Sequence, residues 1–321
     1  MKKLLVMLAL PRQEIEAVLP DWTLVYPEGE LFAQDELIDK VRDCEAIITV
    51  YGNKLSNAII DAAPKLKMIA NFGAGYDNID VPYASSKGIV ITNSPDPVTE
   101  PTAELAFGLM IGVARRMGEM NSRLRQMDVT WGVMRNLSTT LVGKRLGIIG
   151  MGAIGKAVAR RAIASGMEVV YHNRNKVDSA TQEALNVSYC SFDELLKTSD
   201  VVSLNMPLSP ETKGMIGLEE LKLMKSSAYL INTARGPVVK EQELIQALKT
   251  GEIAGAGLDV FENEPTIPDE LLQMDNVYLI PHLGTATHET RGEMSTLVAE
   301  NIKAFFSGQT PPNIINKEVL V

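Results

Sequence analysis

The sequence predicts an α/β protein made of two doubly wound parallel-sheet domains, a nucleotide-binding one inserted into a flavodoxin-like one. Three observations carry that expectation. Short apolar runs alternate with helical patterns over residues 4–92, the same alternation resumes at Arg145, and a proline-broken stretch, NSPDPVTEP at residues 93–101, lies between them. Alternation of this kind means parallel strands covered on both faces, because each crossover helix buries one side of the sheet. At 321 residues the chain also exceeds the usual single-domain range.

In the first half, strands are expected at residues 4–8, 24–26, 46–50, 67–71 and 89–92, and helices near 14–19, 34–41, 57–63 and 82–87. Three prolines make residues 93–101 an interdomain crossing. Residues 102–127 then read as one long apolar-rich helix with Ala103, Ala106, Leu109, Met110 and Val113 on one side, long enough to serve a subunit contact as well. From Arg145 a second series of strands follows, near 147–149, 168–171, 188–189, 201–204, 229–231, 255–258 and 277–280. A helix over about 289–306 leads to Pro311-Pro312 and returns to the first domain. Residues 1–98 and 288–321 are thus expected to form one domain and 99–287 the other.

Composition narrows the function classes. An apolar fraction of 45% with 22% charged residues is that of a globular protein. The net charge of −9 and an isoelectric point near 5.1 argue against a nucleic-acid or anionic-membrane surface. Cys44 and Cys190 are too few and too isolated for a disulfide framework or a metal site, which fits a cytoplasmic protein. Lys2-Lys3 before the apolar residues 4–10 superficially resembles a secretion signal. The run is short, Pro11-Arg12 ends it and no small-residue cleavage site follows, so it reads as a buried first strand.

The most specific motif begins where the apolar run 145–149 ends, in Gly150-Met151-Gly152-Ala153-Ile154-Gly155. This is G-x-G-x-x-G between a strand and a helix: Gly150 makes the tight turn, Gly152 lets backbone approach a diphosphate, and Gly155 allows close helix–strand packing. Ala153, Ile154 and Gly155 would present unpaired N–H groups to the phosphates at the positive end of the helix dipole. A dinucleotide-binding Rossmann domain is therefore expected. Ligands of such sheets gather beyond the carboxyl ends of the strands, where Arg235, Asp259 and His282 fall, with Glu264 in the loop after Asp259. An arginine, a carboxylate and a histidine at successive strand ends suit hydride transfer.

Four blocks carry a family resemblance: Asn71-Phe72-Gly73-Ala74-Gly75-Tyr76-Asp77-Asn78-Ile79-Asp80, Asn232-Thr233-Ala234-Arg235-Gly236-Pro237, residues 257–265 (GLDVFENEP) and residues 281–287 (PHLGTAT). In this order they resemble the D-isomer-specific 2-hydroxyacid dehydrogenases over nearly the whole chain. The resemblance implies that Arg235 binds the carboxylate and carbonyl of a small 2-oxoacid through its planar fork. His282 would give the proton as hydride arrives and take it back in oxidation. Glu264 would orient and tune His282, Gly73, Ala74 and Gly75 would hold the substrate carboxylate through backbone, and Asp259 would meet the nicotinamide side. Left to the residues alone, Arg235 and Glu264 could also be surface loop charges and the glycine turn only a turn.

For the cofactor, members of the family that use NAD carry an acid at the end of the second strand of this domain, where it bonds the ribose 2′-OH. Here Asn173 stands there, followed by Arg174 and Lys176. A neutral amide beside two cations removes the repulsion of a 2′-phosphate, so NADP(H) is expected to be preferred, with NAD(H) also possible. Asn-Arg at this place resembles the glyoxylate and hydroxypyruvate reductase branch. Pro207 and Thr212 would pack along the adenosine and diphosphate, Thr233, His282 and Gly284 near the nicotinamide, and Thr102 is a weaker candidate for a contact. His172 is expected to pack structurally or beside the adenine, and His288 to start the last helix. Tyr51, Asn53 and Tyr76 are candidates for substrate choice because they follow strand ends. The family resemblance implies a homodimer through the nucleotide-binding domain and closure of the domains on the substrate. A non-catalytic, dinucleotide-responsive corepressor is the alternative, which the motifs alone do not separate; oxidation of formate or phosphite on the same scaffold is a third reading.

Overall fold

The computed structural model describes residues 1–50, 52 and 54–320. Tyr51 and Asn53, expected to face substrate, lie outside the described residues. The chain divides into two compact units, Met1–Val98 with Thr285–Val321, and Thr99–Gly284.

The first unit holds five parallel strands, β1 (Lys3–Val6), β2 (Thr23–Val25), β3 (Ala46–Val50), β4 (Met68–Phe72) and β5 (Val90–Thr92), in the order β2-β1-β3-β4-β5. Every residue of β3 and β4 is buried, which is why these strands read as unbroken apolar runs rather than alternating ones. Leu5, Ile47, Ile69 and Ile91 stack from four neighbouring strands onto Leu37, Ile59 and Ile60 of the covering helices. The helix His288–Phe306, with Thr287 accepting from the Thr290 N–H at 3.1 Å as its N-cap, packs on β4 and on the helix Arg12–Val18. His288 therefore opens that helix, as expected.

The second unit holds seven parallel strands: β6 (Arg145–Ile149), β7 (Glu168–His172), β8 (Ser188–Tyr189), β9 (Val201–Leu204), β10 (Tyr229–Asn232), β11 (Gly255–Leu258) and β12 (Val277–Leu279). Their order is β12-β11-β10-β9-β6-β7-β8, so the strand order reverses between β6 and β9, the place where open sheets of this kind take their ligands. Both sheets are parallel and doubly wound, as the alternation requires.

Two elements differ from expectation. Residues 102–127 form two helices, Thr99–Ala114 and Met117–Arg125, because Arg116 turns left-handed at φ 53°. The reason is the Tyr278 ring, which fills the bend: a Cβ on Gly112 would lie 2.2 Å from that ring and one on Gly118 2.7 Å. Arg116 then returns its guanidinium to the side chain of Glu119, with bonds of 2.6 and 2.5 Å. The crossing also ends earlier than the prolines suggest. Thr99, Glu100 and Pro101 form the first helical turn, where a missing N–H costs nothing, and Glu100 pairs with Arg160 and, at 2.8 Å, with Arg161. Other boundaries shift by one or two residues; Leu8, for instance, leaves β1 to bridge Leu31. Among the described residues no helix is long and apolar enough to cross a membrane.

Candidate active site

The glycine turn after β6 is built as a diphosphate cradle requires. Gly150 has φ 99°, and a Cβ there would lie 2.7 Å from the backbone of Asn205 and Met206, so the chain leaving β9 is pressed against it. A Cβ on Gly155 would lie 2.2 Å from the Gly150 carbonyl oxygen. Gly152, by contrast, is exposed and meets nothing within 4 Å, leaving room for a ligand's approach. Ala153, Ile154 and Gly155 open the helix Ala153–Ala164, so their N–H groups point out of its first turn without intrahelical acceptors. The side-chain oxygens of Asn205 and Thr233, at the ends of β9 and β10, are buried and lack partners among the described residues. Buried orphan acceptors and donors of this kind call for a polar ligand. These features fit a dinucleotide. Asn205 was missed from sequence, although its place at a strand end beside the fingerprint was the available signal.

At the end of β7, the Asn173 side-chain oxygen accepts the Met151 N–H at 2.6 Å and so straps the glycine turn from the side. Arg174 and Lys176 are exposed, Lys176 lying 4.7 Å over the Tyr189 ring. The hydrogen bond from the Ser209 hydroxyl, helped by the charge of Arg174, holds the Glu211 carboxyl below its ordinary value. Thr212 donates to the Pro207 carbonyl at 2.7 Å and accepts the Ser209 N–H at 2.8 Å, fixing the shape of the loop after β9. His172 packs against Tyr189 and Phe192 with Nδ1 3.1 Å from the Cys190 carbonyl, a structural placement.

The loops after β10, β11 and β12 are tied to one another. Buried Asn232 bonds the Arg235 carbonyl and the Ala234 N–H, each at 3.0 Å, which shapes the turn presenting Arg235. A Cβ on Gly236 would lie 1.9 Å from the Phe261 carbonyl, so only glycine lets these two loops touch. One residue pair stitches them further: the Glu241 carboxylate accepts the Glu262 N–H at 3.1 Å, and that of Glu262 accepts the Glu241 N–H at 3.4 Å. Burial raises the Glu241 carboxyl, opposed by the Glu262 N–H. Sequence reading gave no hint of this pair.

Glu264 accepts the Phe261 N–H at 3.0 Å with one oxygen and meets His282 Nδ1 at 2.8 Å with the other. Burial works to raise its carboxyl, but the His282 hydrogen bond and charge, the Phe261 N–H and the Arg235 charge together hold it below its ordinary value. It therefore stays an anion at neutral pH. With Nδ1 on the carboxylate, the ring's other nitrogen is turned away from Glu264. His282 itself sits at φ 53°, its N–H bonding the Asp259 carbonyl at 2.8 Å.

Three residues expected at the cofactor are bonded to one another or to neighbouring backbone within the unit. Asp259, 1% exposed, accepts the N–H groups of Leu283 and Gly284 at 2.5 and 3.0 Å. Burial pushes its carboxyl up to about 6, against those two donors. Thr102 donates its hydroxyl to the Gly284 carbonyl at 3.2 Å. Asp259, Thr102 and Gly284 thus hold the backbone around His282, because a left-handed residue at the end of a strand needs its neighbours pinned.

In the first unit, the turn after β4 has Gly73 at φ 152°, and Tyr76 beyond it is exposed. Asn71 donates to the carbonyls of Gly73 and Gly75 at 3.1 and 2.8 Å, Asn93 to that of Ala74 at 2.8 Å, and the Ser94 N–H to that of Gly73 at 2.9 Å.

Residues 107–284 match the family described as "D-isomer specific 2-hydroxyacid dehydrogenase, NAD binding domain". The chain belongs to the D-isomer-specific 2-hydroxyacid dehydrogenases. It is 48% identical over 289 residues to a glyoxylate reductase of Thermococcus litoralis, covering 88% of this chain and 87% of the relative. Its structure is similar to that of a glyoxylate reductase from Paecilomyes thermophila, with TM-score 0.89, 36% identity and 99% of each chain covered. It is also similar to an NADPH-dependent glyoxylate/hydroxypyruvate reductase from Sinorhizobium meliloti in complex with NADP and malonate, with TM-score 0.85, 35% identity and coverage of 98% and 96%. This dehydrogenase is accordingly an oxidoreductase of CH–OH donors that uses a nicotinamide cofactor and acts on a small oxoacid.

Proposed function

We propose that this dehydrogenase reduces glyoxylate, and hydroxypyruvate beside it, with NADPH preferred over NADH. The observation that carries the reading is the His282–Glu264 pair at 2.8 Å, held on loops stitched to the one that presents Arg235, in a chain 48% identical to a glyoxylate reductase. Ala153, Ile154, Gly155 and Gly152 would hold the cofactor diphosphate, with Pro207, Thr212 and Thr233 along its length. The bound nicotinamide supplies a hydride to the carbonyl carbon. Arg235 binds the oxoacid carboxylate and polarises its carbonyl, His282 delivers a proton to the carbonyl oxygen as the hydride arrives, and Glu264 compensates the charge that His282 carries. The Gly73, Ala74 and Gly75 backbone would offer N–H groups to a carboxylate.

The cofactor preference rests on Asn173, Arg174 and Lys176. A neutral strap in place of an acid leaves the 2′-phosphate unopposed, and exposed Arg174 supplies a fork for it. A panel of 2-oxoacids assayed with each cofactor tests both halves of the proposal. Glyoxylate and hydroxypyruvate should give the highest kcat/KM, and NADPH should exceed NADH by about tenfold, the scale of one charge-assisted contact. Arg174→Ala should remove that advantage by raising KM for NADPH alone. Equal use of both cofactors by the parent enzyme would end the NADP reading, and turnover confined to other oxoacids would end the substrate reading.

A homodimer through the nucleotide-binding unit is part of the same proposal. Met127, Trp131, Val133, Met134, Leu137 and Val142 are exposed along one segment, Trp131 at 82% and Val133 at 95%, and exposed apolar side chains close together in sequence support a subunit contact there. Light scattering should give the mass of two chains, and Trp131→Asp with Val133→Asp should give one; a parent enzyme already at the mass of one chain refutes it.

A further inference from the structure

We propose that Asn71 is a positioning residue that turns the Gly73–Gly75 backbone into a three-donor cradle for a carboxylate. The inference deepens the reading above, on which it rests, by assigning what aims that backbone. In a trans peptide the C=O of one residue and the N–H of the next point in opposite directions, so fixing a carbonyl fixes the donor behind it. Asn71 grips the Gly73 and Gly75 carbonyls at 3.1 and 2.8 Å and thereby aims the N–H groups of Ala74 and Tyr76. Asn93 grips the Ala74 carbonyl at 2.8 Å and aims the N–H of Gly75. The Ser94 N–H adds a second hold on Gly73 at 2.9 Å.

Each of the three carbonyls of the turn is thus held by a donor, and no acceptor among the described residues takes the N–H groups of Ala74, Gly75 or Tyr76. Three consecutive donors without partners, at residues that are not buried, form an anion-binding concavity. Gly73 at φ 152° supplies the backbone geometry that starts it. Asn71 is fully buried, and its own side-chain oxygen has no partner. An amide kept at the cost of an orphan acceptor is there for its two donated bonds, which no apolar residue of that size supplies.

Asn71→Asp keeps the shape, removes both donors and sets a negative charge under the cradle; Asn71→Ala removes the donors and the orphan oxygen together, so at least one of the two should fold. Each is assayed as the full-length enzyme with glyoxylate and NADPH, and hydrogen exchange across residues 73–76 is followed by mass spectrometry with and without oxalate, an unreactive carboxylate probe. The expected result is KM for glyoxylate raised about tenfold in Asn71→Ala and further in Asn71→Asp, with kcat within about threefold and NADPH affinity unchanged, since the loss falls on ground-state binding. Oxalate should slow exchange at 73–76 in the parent enzyme and not in Asn71→Asp. An unchanged KM in a folded variant, or a fall in kcat at constant KM, overturns the assignment. If the parent enzyme fails to turn over glyoxylate, the substrate reading falls, and the exchange result alone decides the role of Asn71: protection lost in Asn71→Asp supports it and protection kept overturns it.

Discussion

Replacing His282 with asparagine lowers kcat for oxoacid reduction by about 10³-fold while the affinity for NADPH stays the same. A positioned general acid contributes typically about 10²–10⁴-fold, and neither carboxyl group beside His282 is expected to replace it at neutral pH. Glu264 is held as an anion by His282, by the Phe261 N–H and by Arg235, and Asp259 has both oxygens taken by backbone donors. Asparagine is the informative substitute because position 282 is left-handed, at φ 53°, which asparagine tolerates better than most residues. It therefore removes the imidazole without forcing the loop to move. Stopped-flow measurement of the reductive half of the reaction, with cofactor binding followed by fluorescence, checks both parts. A kcat within about tenfold of the parent would assign proton delivery elsewhere, since that lies below the range for a general acid.

Replacing Arg235 with alanine lowers kcat/KM for glyoxylate by about 10³-fold, and lysine restores only part of the loss. The guanidinium offers a fork of fixed geometry to a carboxylate, whereas an ammonium supplies charge without the second aligned donor. Asn232 and Gly236 fix the backbone on both sides of Arg235, so the change should act on the ligand and leave the loop in place. About 4 kcal/mol, the equivalent of 10³-fold, is what leaving a carboxylate without its bidentate partner costs in a dry site. Steady-state kinetics of alanine and lysine variants provide the check, and full activity in the lysine variant would show that charge alone suffices.

How far these features could be read in advance varies with how local they are. The strand–turn–helix at residues 145–161 is legible because its three glycines act within a dozen residues, and the two sheets are legible because buried parallel strands make unbroken apolar runs such as residues 46–50. The His282–Glu264 pair followed from family motifs rather than from spacing, since 18 residues separate the two and only the fold closes the distance. What stayed hidden depends on contacts between distant segments. The bend at Arg116 is set by Tyr278, far along the chain, and a left-handed arginine carries no signal of its own in the sequence. Asn173 is legible as the neutral residue at the acid's position, but the bond from the Met151 N–H to its side-chain oxygen is one that sequence spacing alone does not reveal. Thr102 and Gly284 share a bond across 182 positions, which no local pattern announces.

The reciprocal bonds between Glu241 and Glu262, with bare Gly236 wedged against Phe261, weld the arginine's loop to the histidine's partner. A drift in either loop is transmitted to the other, so the reacting groups vary together or not at all. A substitution that shifts one of these loops is therefore felt in the other, so the two are expected to change together as one block.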